Sequence, residues 1–378
     1  MAARGPLSDA QVIEHLLDVV PDVGDLEQRF AADPGQQLLD ALDQTQRASV
    51  PGFDPVAPDI QFDLPTGEVP NKKAPRLFGQ DTTIALVGEA AHSALGKIQR
   101  EGADAQLTEE ERLGLEAVVS VYGRPALLVE GGRFRPPAPP WEKLEQHRPA
   151  IEAALRSVCR IEADGHPEHD CLGTGFLVTD DVIMTNRHVA KLFVSLGGPP
   201  WQVEPGITVR VDFNEEFLAG EPREHAMTEV VSISTDVDMA LLRVAKTSSS
   251  GQPLPPPLRI SSTTSAVRGS DVYVIGYPLY NPLAAGGNAE ALHRIFSDLY
   301  GIKRVQPGQV TSLAPDTREI VHDCSTLGGN SGSCLIDLQS GDVIGLHRRG
   351  RYLEGNFAVA LNQVQDDPAL QKANVVFA

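Results

Sequence analysis

Three short stretches of this sequence carry side chains suited to nucleophilic chemistry, and they occur in the order His, Asp, Ser. Residues 173–176 read Gly-Thr-Gly-Phe, and residues 182–190 then read Val-Ile-Met-Thr-Asn-Arg-His-Val-Ala. That pattern ends a strand and presents His188 at the start of a helical turn. Asp238 stands directly before the apolar run Met239, Ala240, Leu241, Leu242, and residues 328–333 place Ser331 in a glycine-rich turn. The separations are 50 residues from His188 to Asp238 and 93 from Asp238 to Ser331.

Each residue type answers a chemical need. A serine hydroxyl is a weak nucleophile and needs a base such as histidine to take its proton. The imidazole needs a carboxylate to fix its tautomer and stabilise its charged form. The oxyanion that develops needs backbone N–H groups aimed at it. Glycine before the serine lets Gly329 and Ser331 turn both amides into one hole without Cβ clashes.

The elements that must position these residues change character along the chain. The first third reads as helical. Apolar spacing predicts helices over about 8–20, 26–30 and 36–42, and again where Ile84, Val87, Ala91, Leu95 and Ile98 recur. Thr108 and Glu111 form a capping-box pattern before a further helix. Residues 49–80 hold six prolines and read as a linker, 126–129 reads as a short strand, and the prolines of 136–140 mark a boundary. After about residue 148, short β-branched runs alternate with turns. They predict strands over 157–162, 175–178, 182–185, 208–213, 230–234 and 240–244. A second set follows Pro255–Pro257, over 271–276, 309–313, 319–322, 333–336, 342–346 and 356–361, with a helical insertion expected over 289–299. Two such strand clusters predict two small β-barrels with the three groups meeting between them.

On these motifs, residues 150–378 resemble the trypsin-like (chymotrypsin-fold) serine endopeptidases. The resemblance implies His188 as general base, Asp238 as its orienter, Ser331 as nucleophile, and Gly329 with Ser331 as oxyanion hole. Asp236 competes for the orienting role, but only Asp238 directly precedes the apolar run, so Asp236 is read as a solvated turn residue. Residues 173–177, 326–333, 343–347 and 356–359 look more narrowly like the glutamyl endopeptidase branch of the bacterial enzymes. That likeness implies Thr326 and His347 as the groups that recognise a glutamate side chain. A hydroxyl and an imidazole can both donate to a carboxylate. Arg348 and Arg349 add positive charge at the cleft, and Gly350 joins Thr326, His347 and Arg348 in the substrate-binding set. Two features depart from that branch: the paired arginines before Gly350, and the roughly 150 residues ahead of the barrels, where the branch uses a freed N-terminal amine. Residues 124–129, 276–278 and 322–327 further resemble bacterial trypsin-like domains of unassigned cellular role. Asn330 stands where digestive zymogens carry an aspartate that captures a new N-terminus, so control falls to the N-terminal helices or a partner.

Composition narrows the partners. The chain has 378 residues, 41% of them hydrophobic, and a net charge of −19. Residues 1–150 carry 24 acids against 14 bases, and the remainder 27 against 18. This even acidity argues against nucleic acid or an anionic membrane as the main partner. No apolar run approaches the ~20 residues of a spanning helix. The start has no basic head followed by an unbroken apolar core, so the expected compartment is the cytoplasm, with Cys159, Cys171, Cys324 and Cys334 as free thiols. His166, His169 and Cys171, with Cys159 upstream, are types that suit zinc, but their spacing is irregular, and no metal or cofactor is expected. Cys334 is read as a small buried residue and His322 as a packed or hydrogen-bonded strand residue.

The expectation is a mainly β, chymotrypsin-like double barrel preceded by a helical region. The boundaries are 1–135 for a helical regulatory or adaptor region, 136–147 for a proline-rich connector, and 148–378 for the catalytic domain. Barrel one spans about 152–250 and barrel two about 260–365. The expected function is a serine endopeptidase acting on protein or peptide substrates, with a regulatory partner reached through the helices. The alternatives are a binding module on a protease scaffold, against which the intact triad argues, and an esterase using the same triad.

Overall fold

The computed structural model describes residues 13, 23–35, 37, 80–118, 124–137, 141–167, 169–195, 198–263, 266–279, 299–351 and 355–378. The helices expected over 8–20 and 36–42, the linker over 49–80 and the insertion over 289–299 lie wholly or mostly outside those residues. The chain divides into two compact units, Ser8–Val121 and a strand-rich unit from Tyr122 to the C-terminus.

The first unit packs helix α1 (Val23–Ala32) and helix α3 (Glu109–Val118) against the long helix α2 (Gln80–Glu101). Val23, Leu26 and Phe30 line one face of α1, and Val87, Ala91, Ala94, Leu95 and Ile98 recur along α2 at helical spacing and are buried. The capping box forms at the start of α3. Glu111 N–H donates to Thr108 Oγ1 at 3.2 Å, and Thr108 N–H donates to Glu111 Oε2 at 2.8 Å. Helices α2 and α3 cross where Gly114 meets Ala91; a Cβ there would lie 2.4 Å from the Ala91 nitrogen.

The second unit opens with strand β1 (Leu127–Glu130) and its hairpin partner β2 (Arg133–Phe134). Helix α4 (Arg148–Leu155) follows, then β3 (Val158–Asp164), β4 (Cys171–Leu177), β5 (Val182–Thr185) and the short helix α5 (Arg187–Ala190). Next come the small pair β6 (Val194–Ser195) and β7 (Gln202–Val203), then β8 (Thr208–Asp212), β9 (Glu224–Ile233) and β10 (Ala240–Val244). Strands β3, β4, β5, β8, β9 and β10 close into barrel one. Strands β11 (Asp271–Gly276), β12 (Arg304–Ala314), β13 (Glu319–His322), β14 (Cys334–Asp337), β15 (Val343–Arg351) and β16 (Gly355–Ala360) form barrel two, closed by the pairing of β11 with β12. The C-terminal helix α6 (Pro368–Lys372) follows.

Strand alternation sorts the side chains into three cores. Cys159, Ile161, Ile183 and Leu242 fill barrel one, while Val272, Val274, Leu335 and Ile344 fill barrel two. Their alternate neighbours Val158, Met184, Leu241, Tyr273, Ile275 and Leu346 point the other way, into a shared core between the barrels. Buried Lys303 adds a polar tie: its Nζ donates to the carbonyls of Leu155 at 2.9 Å and Phe213 at 2.7 Å and pairs with Glu216 at 3.4 Å.

One element sits elsewhere than the sequence placed it. The strand expected at 126–129, ahead of the proline-rich boundary, pairs with β12 through Leu127 opposite Val305. Leu127, Val129, Phe134, Trp141 and Leu144 all lie in the core between the barrels. Residues 127–147 are therefore part of the barrel unit rather than a connector to it. Proline spacing marks local stiffness and carries no information about which sheet a flanking strand joins. Trp141→Ala is expected to cost about 3–5 kcal/mol in denaturant unfolding of this unit. A loss below about 1 kcal/mol, the range typical of surface sites, would contradict its place in the core.

Candidate active site

Strand register brings the first two candidate residues together. Strands β5 and β10 are antiparallel with Thr185 opposite Ala240, so the residues just after Thr185 and just before Ala240 emerge at one end of barrel one. There His188 Nδ1 lies 2.7 Å from Asp238 Oδ2, and the His188 amide donates to Asp238 Oδ1 at 3.0 Å. Asn186 Nδ2 donates to the Asp238 carbonyl at 3.0 Å, and Arg187 holds the carbonyls of Ser234 and Thr235. The loop bearing the aspartate is thus fastened to α5. Asp236 points away, exposed and paired with Arg318.

Burial alone would push the Asp238 carboxyl up. Hydrogen bonds from the His188 ring and amide, the charge of that ring and the charge of Arg348 outweigh it, so the group stays below the usual carboxylate range. The Asp238 side chain is 14% exposed and the His188 side chain 46%. A carboxylate on Nδ1 leaves Nε2 of the neutral ring as the proton acceptor.

Ser331 sits in the turn between β13 and β14. Gly329 has φ +86°, and a Cβ there would lie 2.4 Å from both the Tyr277 carbonyl oxygen and Leu279 Cγ. Only glycine fits. The amides of Gly329 and Ser331 make no hydrogen bond among the described residues, whereas Asn330 N–H donates to Leu327 O and Gly332 N–H to His347 O. Two uncommitted donors flanking one serine can stabilise an oxyanion. Ser331 Oγ donates to the Arg348 carbonyl at 3.4 Å; among the described residues no hydrogen bond joins it to His188 Nε2. A change of χ1 redirects the hydroxyl.

The turn is gripped from barrel one by Thr174, a residue the sequence reading quoted in its motif without giving it a role. Thr174 N–H donates to Ser331 O at 2.9 Å, Thr174 Oγ1 donates to Gly329 O at 2.8 Å and accepts from Tyr277 N–H at 3.2 Å. The signal for it was its place between Gly173 and Gly175.

The expected substrate-binding residues fall into two groups. Thr326 Oγ1 donates to Asn356 Oδ1 at 2.5 Å, and a Cβ on Gly350 would lie 2.5 Å from that same oxygen, so Thr326, Gly350 and Asn356 share one wall. His347 is buried, with Nδ1 3.1 Å from Nε2 of buried His322. Burial, with the charge of His188 as a smaller cause, pushes the His347 pKa to about 3, and burial likewise holds His322 well below the histidine range. Arg348 pairs with Glu319, and Arg349 approaches the same carboxylate at 3.6 Å while stacking over Phe357. Cys334 is buried at the start of β14 with its thiol pushed up to about 12, a state without nucleophilic thiolate. The register sets Cys159 opposite Gly175 and Cys171 opposite Glu162, so these cysteines do not face each other. His166 and His169 stack on one another at 5.6 Å.

Residues 173–346 match the trypsin-like peptidase domain family. This segment is a trypsin-like peptidase domain. Similar proteins are bacterial serine proteases. A probable serine protease of Lysobacter enzymogenes is 28% identical over 279 residues, covering 65% of this chain and 71% of that protein. The serine protease Rv3671c of Mycobacterium tuberculosis is 30% identical over 243 residues, covering 61% of this chain and 50% of that protein. A glutamyl endopeptidase of Staphylococcus epidermidis is 28% identical over 194 residues, covering 50% of this chain and 58% of that protein. The crystal structure of the Rv3671c protease in its active form aligns with 67% of this chain and 92% of its own, at 25% identity and a TM-score of 0.41. The chain spans about half the length of the curated mycobacterial relative.

Two outcomes follow from this geometry. Thr174→Val keeps the side-chain shape but strips the Gly329 carbonyl and the Tyr277 amide of their partner, at about 1–3 kcal/mol for each group left buried. Peptide hydrolysis is expected to fall about tenfold or more as the turn loses its support; unchanged kcat/KM would contradict the grip. The second concerns acid. The folded pKa values of His322 and His347 lie below the ordinary 6.5, so the unfolded chain takes up protons first as pH falls. Stability contributed by the neutral rings is present above about pH 6.5 and declines below it, by up to about 1.4 kcal/mol per pH unit for each ring. Denaturation midpoints between about pH 7 and 4.5 are expected to fall less steeply in His347→Gln than in the wild type; equal slopes would contradict the buried neutral ring.

Proposed function

We propose that the chain is an endopeptidase that cleaves peptide bonds through an acyl-enzyme on Ser331 and prefers an acidic residue before the scissile bond. The observation that carries the hydrolytic reading is the His188–Asp238 hydrogen bond of 2.7 Å facing a turn whose Gly329 and Ser331 amides are uncommitted. Ser331 Oγ attacks the carbonyl carbon as its proton passes to His188 Nε2, and Asp238 stabilises the imidazolium through Nδ1–H. The tetrahedral oxyanion accepts from the two amides. Collapse breaks the C–N bond, and His188 returns its proton to the leaving amine. Water, deprotonated by the same ring, then hydrolyses the acyl-enzyme.

The acidic preference rests on donors. Thr326 stands on the wall it shares with Gly350 and Asn356; its O–H donates to Asn356 Oδ1 at rest, and turning it away from that oxygen lets it donate to a substrate carboxylate. With His322 donating from Nε2, the neutral His347 carries its own proton on Nε2 and becomes a donor in turn. Arg348 pairs with Glu319 and Arg349 approaches the same carboxylate at 3.6 Å, so two cationic side chains stand on the strand that bears His347. The similarity to a glutamyl endopeptidase supports the same preference. The helical unit Ser8–Val121 is read as the regulatory or recruiting part of the chain.

Peptides identical except for Glu, Gln, Leu or Lys before the cleaved bond test both parts. We expect kcat/KM for Glu to exceed that for Gln about tenfold or more, and Ser331→Ala to lose about 10³-fold or more with every peptide. A Leu or Lys preference would remove the acidic specificity and leave the hydrolytic reading standing. No cleavage of any peptide by the wild type would contradict the hydrolytic reading itself.

A further inference from the structure

The loop that supplies the pocket wall and runs on to the nucleophile is tied to a residue far upstream, outside the segment that matches the peptidase family. Arg124 is buried, and its Nη2 donates to Asp323 Oδ2 at 2.5 Å and reaches Gln309 Oε1 at 3.4 Å. Its guanidinium lies 5.4 Å from the centre of the Trp141 ring. The Arg124 carbonyl accepts from Ser325 Oγ at 2.6 Å. One residue thus holds the loop at two points, Asp323 through its side chain and Ser325 through its backbone.

The rest of the loop is fastened in sequence. Asp323 Oδ1 accepts the Gln309 amide at 2.6 Å, the Cys324 carbonyl accepts from Asn356 Nδ2 at 2.7 Å, and the Ser325 carbonyl accepts from Gln306 Nε2. Thr326 then bonds Asn356, and five residues later comes Ser331. Arg124 itself is anchored from behind, because Arg304 Nη1 donates to the Ala126 carbonyl at 2.7 Å and Leu127 pairs with Val305.

We propose that Arg124 is a positioning residue for the substrate pocket: through Asp323 and Ser325 it sets where Thr326 stands. The proposal rests on the reading of Thr326 as part of that pocket. A buried ion pair is weak as a source of stability, because desolvating both charges offsets most of their attraction. Its geometry is demanding, however: Asp323 has both oxygens engaged, and a guanidinium is a rigid planar donor. What such a pair fixes is conformation, and the conformation fixed here belongs to the loop beside the nucleophile. Residues 124–147 are accordingly part of the working enzyme. A catalytic fragment trimmed to the start of barrel one lacks the residue that orders its own specificity loop.

The test uses the full chain carrying Arg124→Met, Arg124→Lys, and the double change Arg124→Met with Asp323→Asn. The double variant leaves no unpaired buried charge, so it reads the same quantities if Arg124→Met alone does not fold. Two measurements are made on each: kcat and KM for the preferred peptide, and hydrogen exchange along the chain. The expected result for Arg124→Met and the double variant is a KM raised about tenfold or more with kcat changed less than about threefold. Amides of residues 323–329 are expected to exchange about tenfold faster while strands of barrel one keep their protection, and Arg124→Lys is expected to fall between. Wild-type KM and wild-type exchange over 323–329 in a folded variant would overturn the proposal. So would faster exchange spread evenly over both barrels, the mark of a general loss of stability. If the wild type cleaves no peptide, the peptidase reading has failed, and the exchange measurement alone still decides whether Arg124 orders this loop.

Discussion

The site depends on one contact between the barrels: the Thr174 amide on the carbonyl of Ser331, backed by the Thr174 hydroxyl on the carbonyl of Gly329. His188 and Asp238 belong to barrel one, and Ser331 to barrel two. No covalent or local constraint sets their separation; the chain between Asp238 and Ser331 is 93 residues long. The shared apolar core brings the barrels together without fixing register, because burial is non-directional. Hydrogen bonds are directional, and those of Thr174 fall on the carbonyls of Gly329 and Ser331. With two carbonyls of the turn held, the amides of Gly329 and Ser331 are left to face the cleft. Gly332 completes the fit, since a Cβ there would lie 2.0 Å from the Thr174 carbonyl.

Charge is distributed in the same spirit. Asp238, read as the residue that orients His188, has four influences that outweigh its burial: hydrogen bonds from the His188 ring and amide, the charge of that ring and the charge of Arg348. The two buried histidines hydrogen-bond to each other at 3.1 Å, and burial favours the neutral form of both. Arg348 and Arg349, on the strand that bears His347, both approach Glu319. In barrel one the carboxyls of Glu162, Asp212 and Glu215 cluster, but Arg160 pairs with Glu162 and Glu215, and Arg210 pairs with Glu162. That cluster is an ion-pair network.

Much of this was legible in the sequence, for identifiable reasons. Four strands, Val182–Thr185, Ala240–Val244, Asp271–Gly276 and Glu319–His322, have the bounds their apolar runs predict. Strand β12 is longer than expected, since Pro307 and Gly308 hid its first half although both face β11 inside the ladder. The candidate residues His188, Asp238 and Ser331 were legible as types in a meaningful order. Their supports were not. Thr174, Tyr277 and Asn356 act through hydrogen bonds to residues 30–157 positions away, and such contacts leave no local pattern. Arg124 is the extreme case, 199 residues from Asp323. The sheet membership of β1 was hidden for the same reason: its partner strand begins 177 residues later, at Arg304.

The central claim is that His188, Asp238, Ser331 and the two turn amides form an acyl-transfer site competent as folded. The most direct measurement is the intact mass of the full chain after exposure to a fluorophosphonate, with Ser331→Ala treated in parallel. The account predicts one adduct on the wild type and none on the variant, since stable phosphonylation needs both an activated hydroxyl and a formed oxyanion hole. A wild type that stays unlabelled at every exposure, or a variant labelled equally, would contradict it.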